Sequence, residues 1–227
     1  MMACGDDSAC TGRWLTEPQA AELISGYGIR YPRHKMVHTH DEAVAAAAEL
    51  CAPFVLKVVS PDVVHKSDVG GVITDLPDLT SVEEAYDLLL SQVGAGCPGA
   101  RVEGILVAEQ APEGVELIIG GLRDPVFGPA VSVGWGGAYV ELIRDTAVGL
   151  APLTHAEAGT LLARTRVATI LSGYRGRPAL DSEAVVVALV AASRLMSEHQ
   201  ELLELDVNPL RVYEEGALAL DVRARCQ

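Results

Sequence analysis

The chain has 227 residues, 49% of them hydrophobic, enough for one large domain or two small ones with a sizeable core. Seventeen basic against thirty-one acidic side chains leave a net charge of −14, and no run of Lys and Arg forms a basic face, so nucleic acid is excluded as a partner. No apolar segment approaches the roughly 20 residues needed to cross a bilayer, and the five cysteines (Cys4, Cys10, Cys51, Cys97, Cys226) contain no C-x-x-C pair, which suits a reduced cytoplasmic setting and argues against structural zinc.

Residues 1–14, MMACGDDSACTGRW, carry two aspartates and no long apolar core, so they are expected to form a loose leader, not a secretory signal. Thr16-Glu-Pro-Gln19 has the pattern of a capping box with proline in the first turn. Leu23, Ile24 and Tyr27 then share a helical face, and Gly26 and Gly28 end the helix. Thr39 or Asp41 caps a second helix through the alanine run to Leu50. Phe54 to Val59 and Gly71 to Leu76 read as strands, and Ser81-Val-Glu-Glu84 as a capping box opening a helix to about Val93. Further strands are expected at Val102 to Glu109, Val115 to Leu122 and Ala130 to Val133. Helices follow near His155 to Thr165 and Asp181 to Ser197. The chain closes with strands Leu202 to Asn208 and Ala217 to Val222. This order is mixed α+β in two lobes, with the seam near residues 110–114.

The stretch FVLKVVSPDVVHKSDVGGV carries the first cluster of chemistry. Lys57 interrupts an apolar strand, sharing a face with Val55 and Val59, and an interior ammonium is costly unless it meets an anion. A lysine snorkelling from an edge strand is the plain alternative. Lys66, Ser67 and the pair Gly70-Gly71 follow: a cation, a hydroxyl and glycines whose backbone N–H groups can wrap a phosphate. The Walker pattern is absent, so a hairpin flap over polyphosphate is expected instead, with a simple turn as the alternative. His65 directly precedes it, and neutral imidazole is a competent nucleophile towards phosphorus.

The second cluster is Glu204-Leu-Asp-Val-Asn-Pro-Leu210, whose alternation puts Asp206 and Asn208 on one face. With Glu215 at the tip of the closing hairpin, Asn208 falls opposite Val222 and Asp221 lies one step away. Hard oxygen ligands on a half-buried patch suit Mg2+, which completes its shell with water and phosphates. Glu109 ends a strand near the seam, and Glu116 on the next strand can accept hydrogen bonds from a ribose. His34, His38 and His40 contain an i, i+2 pair, but no further ligand recurs at a suitable spacing, so they read as surface histidines.

Together LTEPQAAELISGYGI, VLKVVSPDVVHKSDVGGV, VELIIGGLRDPVFGP, GGAYVELIRD, LSGYRGRP and ELDVNPL resemble the ATP-grasp (β) subunit of ADP-forming acyl-CoA (acetate–CoA) synthetases, relatives of the succinyl-CoA synthetase β chain. The likeness runs from about Leu15 to Arg225. It implies an α+β ATP-grasp fold over 15–227, in which two lobes (about 30–108 and 109–227, the latter with the first helix 17–27) clamp ATP or ADP and Mg2+. Carried over by position, Lys57 and Lys66 look like phosphate contacts, Gly70 and Gly71 like the flap, and Glu109 and Glu116 like the adenine-hinge and ribose positions. Asn208 and Asp221 match metal ligands, with Asp206 beside them.

The resemblance also implies a hetero-oligomer. A CoA-binding α subunit handles the acyl-CoA and free acid and carries the first phosphohistidine, and His65 looks like a second phosphoryl carrier. Two departures stand out: Gly149, where relatives show an arginine, and Trp135 in Gly134-Trp-Gly-Gly137, expected to narrow the approach to that loop. Glu141 and Asp145 are candidates for orienting a phosphohistidine. The competing reading is a non-catalytic nucleotide-sensing module regulating a partner enzyme; a stand-alone amide-forming ligase would need a further substrate domain.

Overall fold

The computed structural model describes residues 12–63, 65–137 and 145–227. These residues separate into two compact units, Pro32–Ala111 and a second made of Gly12–Tyr31 with Pro112–Gln227.

The first unit is a four-stranded antiparallel sheet in the order β2-β5-β3-β4, from β2 (His34–Val37), β3 (Phe54–Val59), β4 (Val72–Leu76) and β5 (Gly104–Glu109). Helices α2 (His40–Ala48) and α3 (Leu79–Gly96) supply Ala43, Val82 and Leu89 to a core shared with Leu56 and Val107. Thr39 caps α2, its side chain accepting from Glu42 N–H. Helix α3 starts two residues before the expected box. Asp78 is its cap, accepting from Ser81 N–H at 2.8 Å, and Ser81 Oγ accepts from Asp78 N–H at 3.1 Å. A carboxylate fills the capping position there, and the serine becomes its reciprocal partner.

The second unit is built on a sheet in the order β1-β11-β9-β6-β7-β8, with β10 also on β9. Its strands are β1 (Arg13–Trp14), β6 (Val115–Asp124), β7 (Gly128–Trp135), β8 (Thr146–Leu150), β9 (Leu202–Val212), β10 (Ala217–Ala219) and β11 (Val222–Cys226). Helices α1 (Glu17–Gly26), α4 (His155–Ala163), α5 (Val167–Leu171) and α6 (Ser182–Glu198) contribute Ile24, Leu161, Leu171 and Leu189 to one core with Ile119, Val131 and Val207. In α1, Gln19 accepts from Thr16 N–H at 3.0 Å, and Gly28, at φ +91°, follows the last turn.

Three expectations are corrected. Arg13 and Trp14, read as leader, form β1 and pair with Cys226 and Arg225, because β11 offers them an open sheet edge; residues 1–11 lie outside the described residues. The 146–150 segment, assigned no element in the sequence reading and noted only for Gly149, is an edge strand whose side chains alternate between exposed and half-buried. The closing hairpin is shifted by one residue: Val222 faces Val207, and Asn208 N–H donates to Asp221 O at 3.1 Å. The reason lies in the turn, where Tyr213 N–H donates to Gly216 O at 3.0 Å across Glu214-Glu215 and Gly216 takes φ +83°.

Candidate functional site

In the first unit Lys57 sits mid-strand, half-buried, between Leu106 on β5 and Val72 on β4. Exposed His65 precedes a 3-10 turn, Lys66–Val69, whose first residue is an interior lysine only 8% exposed. Gly71 O accepts from Val58 N–H at 2.9 Å, which closes this turn onto the strand carrying Lys57. The glycines serve differently from the sequence expectation. Their N–H groups donate inside the turn, Gly70 to Ser67 O at 3.3 Å and Gly71 to Lys66 O at 2.7 Å. They are needed for shape: Gly70 has φ +69°, and a Cβ on Gly71 would lie 2.7 Å from Val58 Cγ1. The chain thus turns tightly enough to bring both lysines and His65 onto one strand–turn–strand element.

Glu109 ends β5 opposite Phe54. Its carboxylate accepts from Arg33 Nη1 at 3.1 Å and from Cys51 N–H at 3.0 Å. The side chain expected at an adenine hinge therefore braces the end of its own strand. Beside it, Gln110 and Asp75 bond reciprocally, through Asp75 N–H to Gln110 Oε1 at 2.6 Å and Gln110 Nε2 to Asp75 Oδ1 at 2.7 Å. That pair holds Asp75 at φ +62°, a conformation non-glycine residues seldom take.

In the second unit the sheet presents two faces. Gly149, Val131, Gly121 and Leu205 follow one another across four strands on the helix-covered face, where a Cβ on Gly121 would meet Met196. The next row, Val148, Ser132, Gly120 and Asp206, points the opposite way. Burial raises the Asp206 carboxyl above the usual range; Arg223, its cross-strand neighbour, opposes this, and Asp221 and Glu204 add to it. Asn208 Oδ1 accepts from Gly137 N–H at 3.0 Å, and Gly136 N–H donates to Glu116 O at 2.9 Å. The Gly134–Gly137 loop is thereby pinned beside Asn208. Glu116, the expected ribose contact, is paired with Arg211 at 2.6 Å. Sequence reading passed over Arg211, although its place three residues beyond Asn208 in the same strand was a usable signal.

The donor set fits a hard cation. Among the described residues no cluster of three His, Cys, Asp or Glu could hold a metal. Asp206, Asn208 and Asp221 would therefore offer two carboxylates and an amide oxygen, whose second lone pair remains after the Gly137 bond. Mg2+ accepts so few protein ligands and takes the rest from water and phosphate. A carboxyl raised by burial and by Asp221 and Glu204 against Arg223, with Glu204 itself paired to Arg225, is also what a divalent cation relieves.

Both departures lie away from these carboxylates. A Cβ on Gly149 would meet Leu161 Cδ2 at 3.2 Å and Leu153 Cδ2 at 3.3 Å, so that position faces the helices. Trp135, opposite Leu117, packs against the helix-side core. Asp145 accepts from Arg166 and Val167 N–H at 2.7 and 3.1 Å, capping α5. Glu141 lies outside the described residues. His34 and His38 lean on backbone carbonyls, and His40 lies near Asp41 and Glu83, so the three share no metal site.

A family model described as the ATP-grasp domain matches residues 8–226. The chain belongs to the ATP-grasp family. It is 36% identical over 211 residues to the β subunit of acetate–CoA ligase (ADP-forming) I of Pyrococcus furiosus, covering 93% of this chain and 91% of that one. To the single-chain acetate–CoA ligase (ADP-forming) I of Archaeoglobus fulgidus it is 41% identical over 94% of its length, yet it spans only 31% of that protein. The acetyl-coenzyme A synthetase 1 of Ca. Korarchaeum cryptofilum, solved with coenzyme A and Ca-AMPCP, superposes with a TM-score of 0.92 at 43% identity, over 95% of this chain and 94% of that one. The same enzyme with coenzyme A and Mg-AMPPCP has its phosphohistidine segment pointing towards the nucleotide binding site (TM-score 0.83, 40% identity, 95% and 93% covered). The resemblance read from the sequence therefore holds for family and fold, and the ATP-grasp homologues of this chain are ADP-forming ligases. Among the described residues no helix is long and apolar enough to cross a membrane.

Proposed function

We propose that this chain is the nucleotide-binding β subunit of an ADP-forming acyl-CoA synthetase of the acetate–CoA ligase type. It passes a phosphoryl group between a phosphohistidine and ADP. In the ATP-forming direction the P–N bond to imidazole breaks as a P–O bond to the β-phosphate of ADP forms, and the ring, having taken a proton from solvent on its other nitrogen, leaves as neutral imidazole. The protein's task in such a transfer is positioning and charge neutralisation. Lys57 and Lys66 supply positive charge from the strand–turn–strand element, with Gly70 and Gly71 shaping the flap. Asp206, Asn208 and Asp221 hold Mg2+, which when bound neutralises charge on the phosphate oxygens. Glu109 braces the hinge end of β5, and Glu116 with Arg211 meets the ribose side. Exposed His65, beside Lys66, is a phosphoryl carrier between partner and nucleotide.

The observation that supports this reading is that the backbone sets Asp206, Asn208 and Asp221 next to one another at the β9–β11 junction, with Asn208 Oδ1 accepting from Gly137 N–H. The partner follows from the relatives: the Pyrococcus protein is named a subunit, and the Archaeoglobus protein is about three times longer than the matched part. We propose a CoA-binding α subunit carrying the first phosphohistidine, which also receives the acyl-CoA or free acid, in a cytoplasmic hetero-oligomer.

The test is reconstitution with such an α subunit and measurement of acyl-CoA-dependent ATP synthesis from ADP and phosphate. His65→Ala is expected to lower turnover at least about 100-fold, the scale of losing one charge-positioning or carrier group, with ADP affinity retained. Normal turnover by that variant removes the relay role. Absence of synthesis with short, branched and aryl acids alike, with nucleotide still bound, favours the regulatory sensor.

A further inference from the structure

Strand β4 carries one residue too many for a regular ladder on β3. Phe54 faces Leu76, yet Leu56 faces Ile73 and Lys57 faces Val72, so Thr74 and Asp75 together stand against Val55 alone. Two residues opposite one make a β-bulge, and Asp75 holds it at φ +62°, a left-handed position such bulges often give to glycine. Without the extra residue, and with Phe54 still opposite Leu76, Gly71 would stand opposite Val59. It stands opposite Val58 instead, its carbonyl accepting from Val58 N–H at 2.9 Å. The turn that carries Lys66 is thereby drawn one strand step, about 3.3 Å, towards Lys57. The shift also decides faces: Val72 joins Lys57, and Ile73 joins Leu56 on the helix-side core.

What holds the bulge comes from the far side of β3. Gln110 N–H donates to Pro53 O at 2.8 Å, continuing the β3–β5 ladder one step beyond Phe54 and Glu109. Alternation puts Gln110 on the face of Leu106 and Ala108, the partners of Lys57 and Val55. From there its amide spans β3: Oε1 accepts from Asp75 N–H at 2.6 Å and Nε2 donates to Asp75 Oδ1 at 2.7 Å. Thr74 Oγ1 donates to the other carboxylate oxygen at 2.7 Å. Thr74, then Gln110, keep the Asp75 carboxyl below its usual range. Asp75 is exposed, so packing of its side chain does not enforce the conformation. Strained backbone persists only where its surroundings over-determine it, and here the Gln110 amide does so.

We propose that Gln110 is a positioning residue for phosphate binding: by clamping Asp75 across β3 it locks the bulge and so keeps the Lys66–Gly71 turn one step nearer Lys57. The proposal rests on Lys57 and Lys66 being phosphate contacts. Once released, the ladder can take the regular register, in which the turn slides away along β3 and Ile73 moves to the face of Lys57.

The experiment uses the full chain, with ADP and adenosine as probes and thermal unfolding alongside. Gln110→Glu sets a second carboxylate against Asp75, and Gln110→Ala removes the clamp without added charge should the first variant not fold. Both are expected to weaken ADP binding about tenfold, the scale of one displaced charge-assisted contact, with adenosine affinity and unfolding temperature near wild type. Asp75→Asn keeps an acceptor for the amide and tolerates the left-handed region, so it should bind ADP normally. When Asp75→Asn and Gln110→Glu are combined, the asparagine amide donates to the new carboxylate and ADP affinity should return. Lys57→Ala and Lys66→Ala calibrate the loss. Wild-type ADP affinity in both Gln110 variants, with the lysine variants impaired, overturns the proposal and leaves the phosphate reading standing. ADP and adenosine affinity lost together overturn it as well, marking a base-side role, as does affinity lost only in step with unfolding temperature, marking a structural one. A combined variant as weak as Gln110→Glu has the same consequence. Normal ADP binding by both lysine variants removes the phosphate reading, and the proposal with it.

Discussion

A methyl group at Gly71 would lie 2.7 Å from Val58 Cγ1 and 3.0 Å from Lys66 O, between the strand that carries Lys57 and the turn that carries Lys66. The carbonyl belongs to Lys66 itself and cannot yield without moving that lysine, and the Val58 methyl must rotate or shift beside Lys57. Gly71→Ala is therefore expected to cost about 1–3 kcal/mol, the usual scale of overpacking, and to weaken ADP binding in the same chain. Gly94 in α3 is the control, because a Cβ there meets nothing within 4 Å. Gly94→Ala should stabilise by about 0.5–1 kcal/mol through helix propensity and leave ADP binding alone. Denaturant unfolding and a nucleotide titration on both variants check the pair. ADP affinity unchanged in Gly71→Ala would separate the turn from phosphate recognition.

Helix α6 and the β9–β10 hairpin are joined by one aspartate. Asp181 Oδ1 accepts from Ala184 N–H at 2.9 Å, capping the helix, and Oδ2 accepts from Gly216 N–H at 2.8 Å at the hairpin tip. Its own N–H donates to Tyr213 O at 2.8 Å. The Ala184 and Gly216 bonds hold the carboxyl below its usual range. A depressed value in the folded state means stability that is present above the unfolded carboxylate range and is lost as pH falls through the folded value. Asp181→Ala should cost about 1–2 kcal/mol at neutral pH, as lost N-caps do, and the gap to wild type should close in acid; a gap constant with pH contradicts this account. The same junction shows what the sequence could and could not convey. The start of α6 and both hairpin strands were legible from capping and alternation, but the register was not, because it depends on a turn fixed by Asp181 from outside the hairpin. In the same way His65, Lys66 and Gly71 were legible as a cluster, whereas the engagement of the glycine amides within a 3-10 turn was not. Arg211 gave only its place in the strand beyond Asn208, since its partner Glu116 lies far away in the chain.

For the molecule as a whole, a net charge of −14 sets the context in which an anionic nucleotide has to bind. Mg2+ offsets charge on both sides of that encounter, and Asp206 is where its effect on stability is most readable. Burial, more than any neighbour, raises the Asp206 carboxyl. A value raised in the folded state contributes stability below the unfolded carboxylate range and loses it as pH rises through the folded value, so at pH 7 the ionised group opposes folding of the metal-free chain. Asp206→Asn removes that charge at nearly constant volume. In EDTA at pH 7 the variant is expected to unfold at a higher temperature than wild type, with the difference vanishing in acid. Adding Mg2+ and ADP should reverse the order. Wild type gains about 2.7 kcal/mol when the ligand stands at 100 times its Kd, and the variant, lacking one cation oxygen, gains less at the same concentrations. Thermal unfolding of both proteins with EDTA, with Mg2+ alone, and with Mg2+ and ADP resolves the crossing. Curves that stay parallel under all three conditions would mean that Asp206 contacts no cation, leaving its burial without a function in this site.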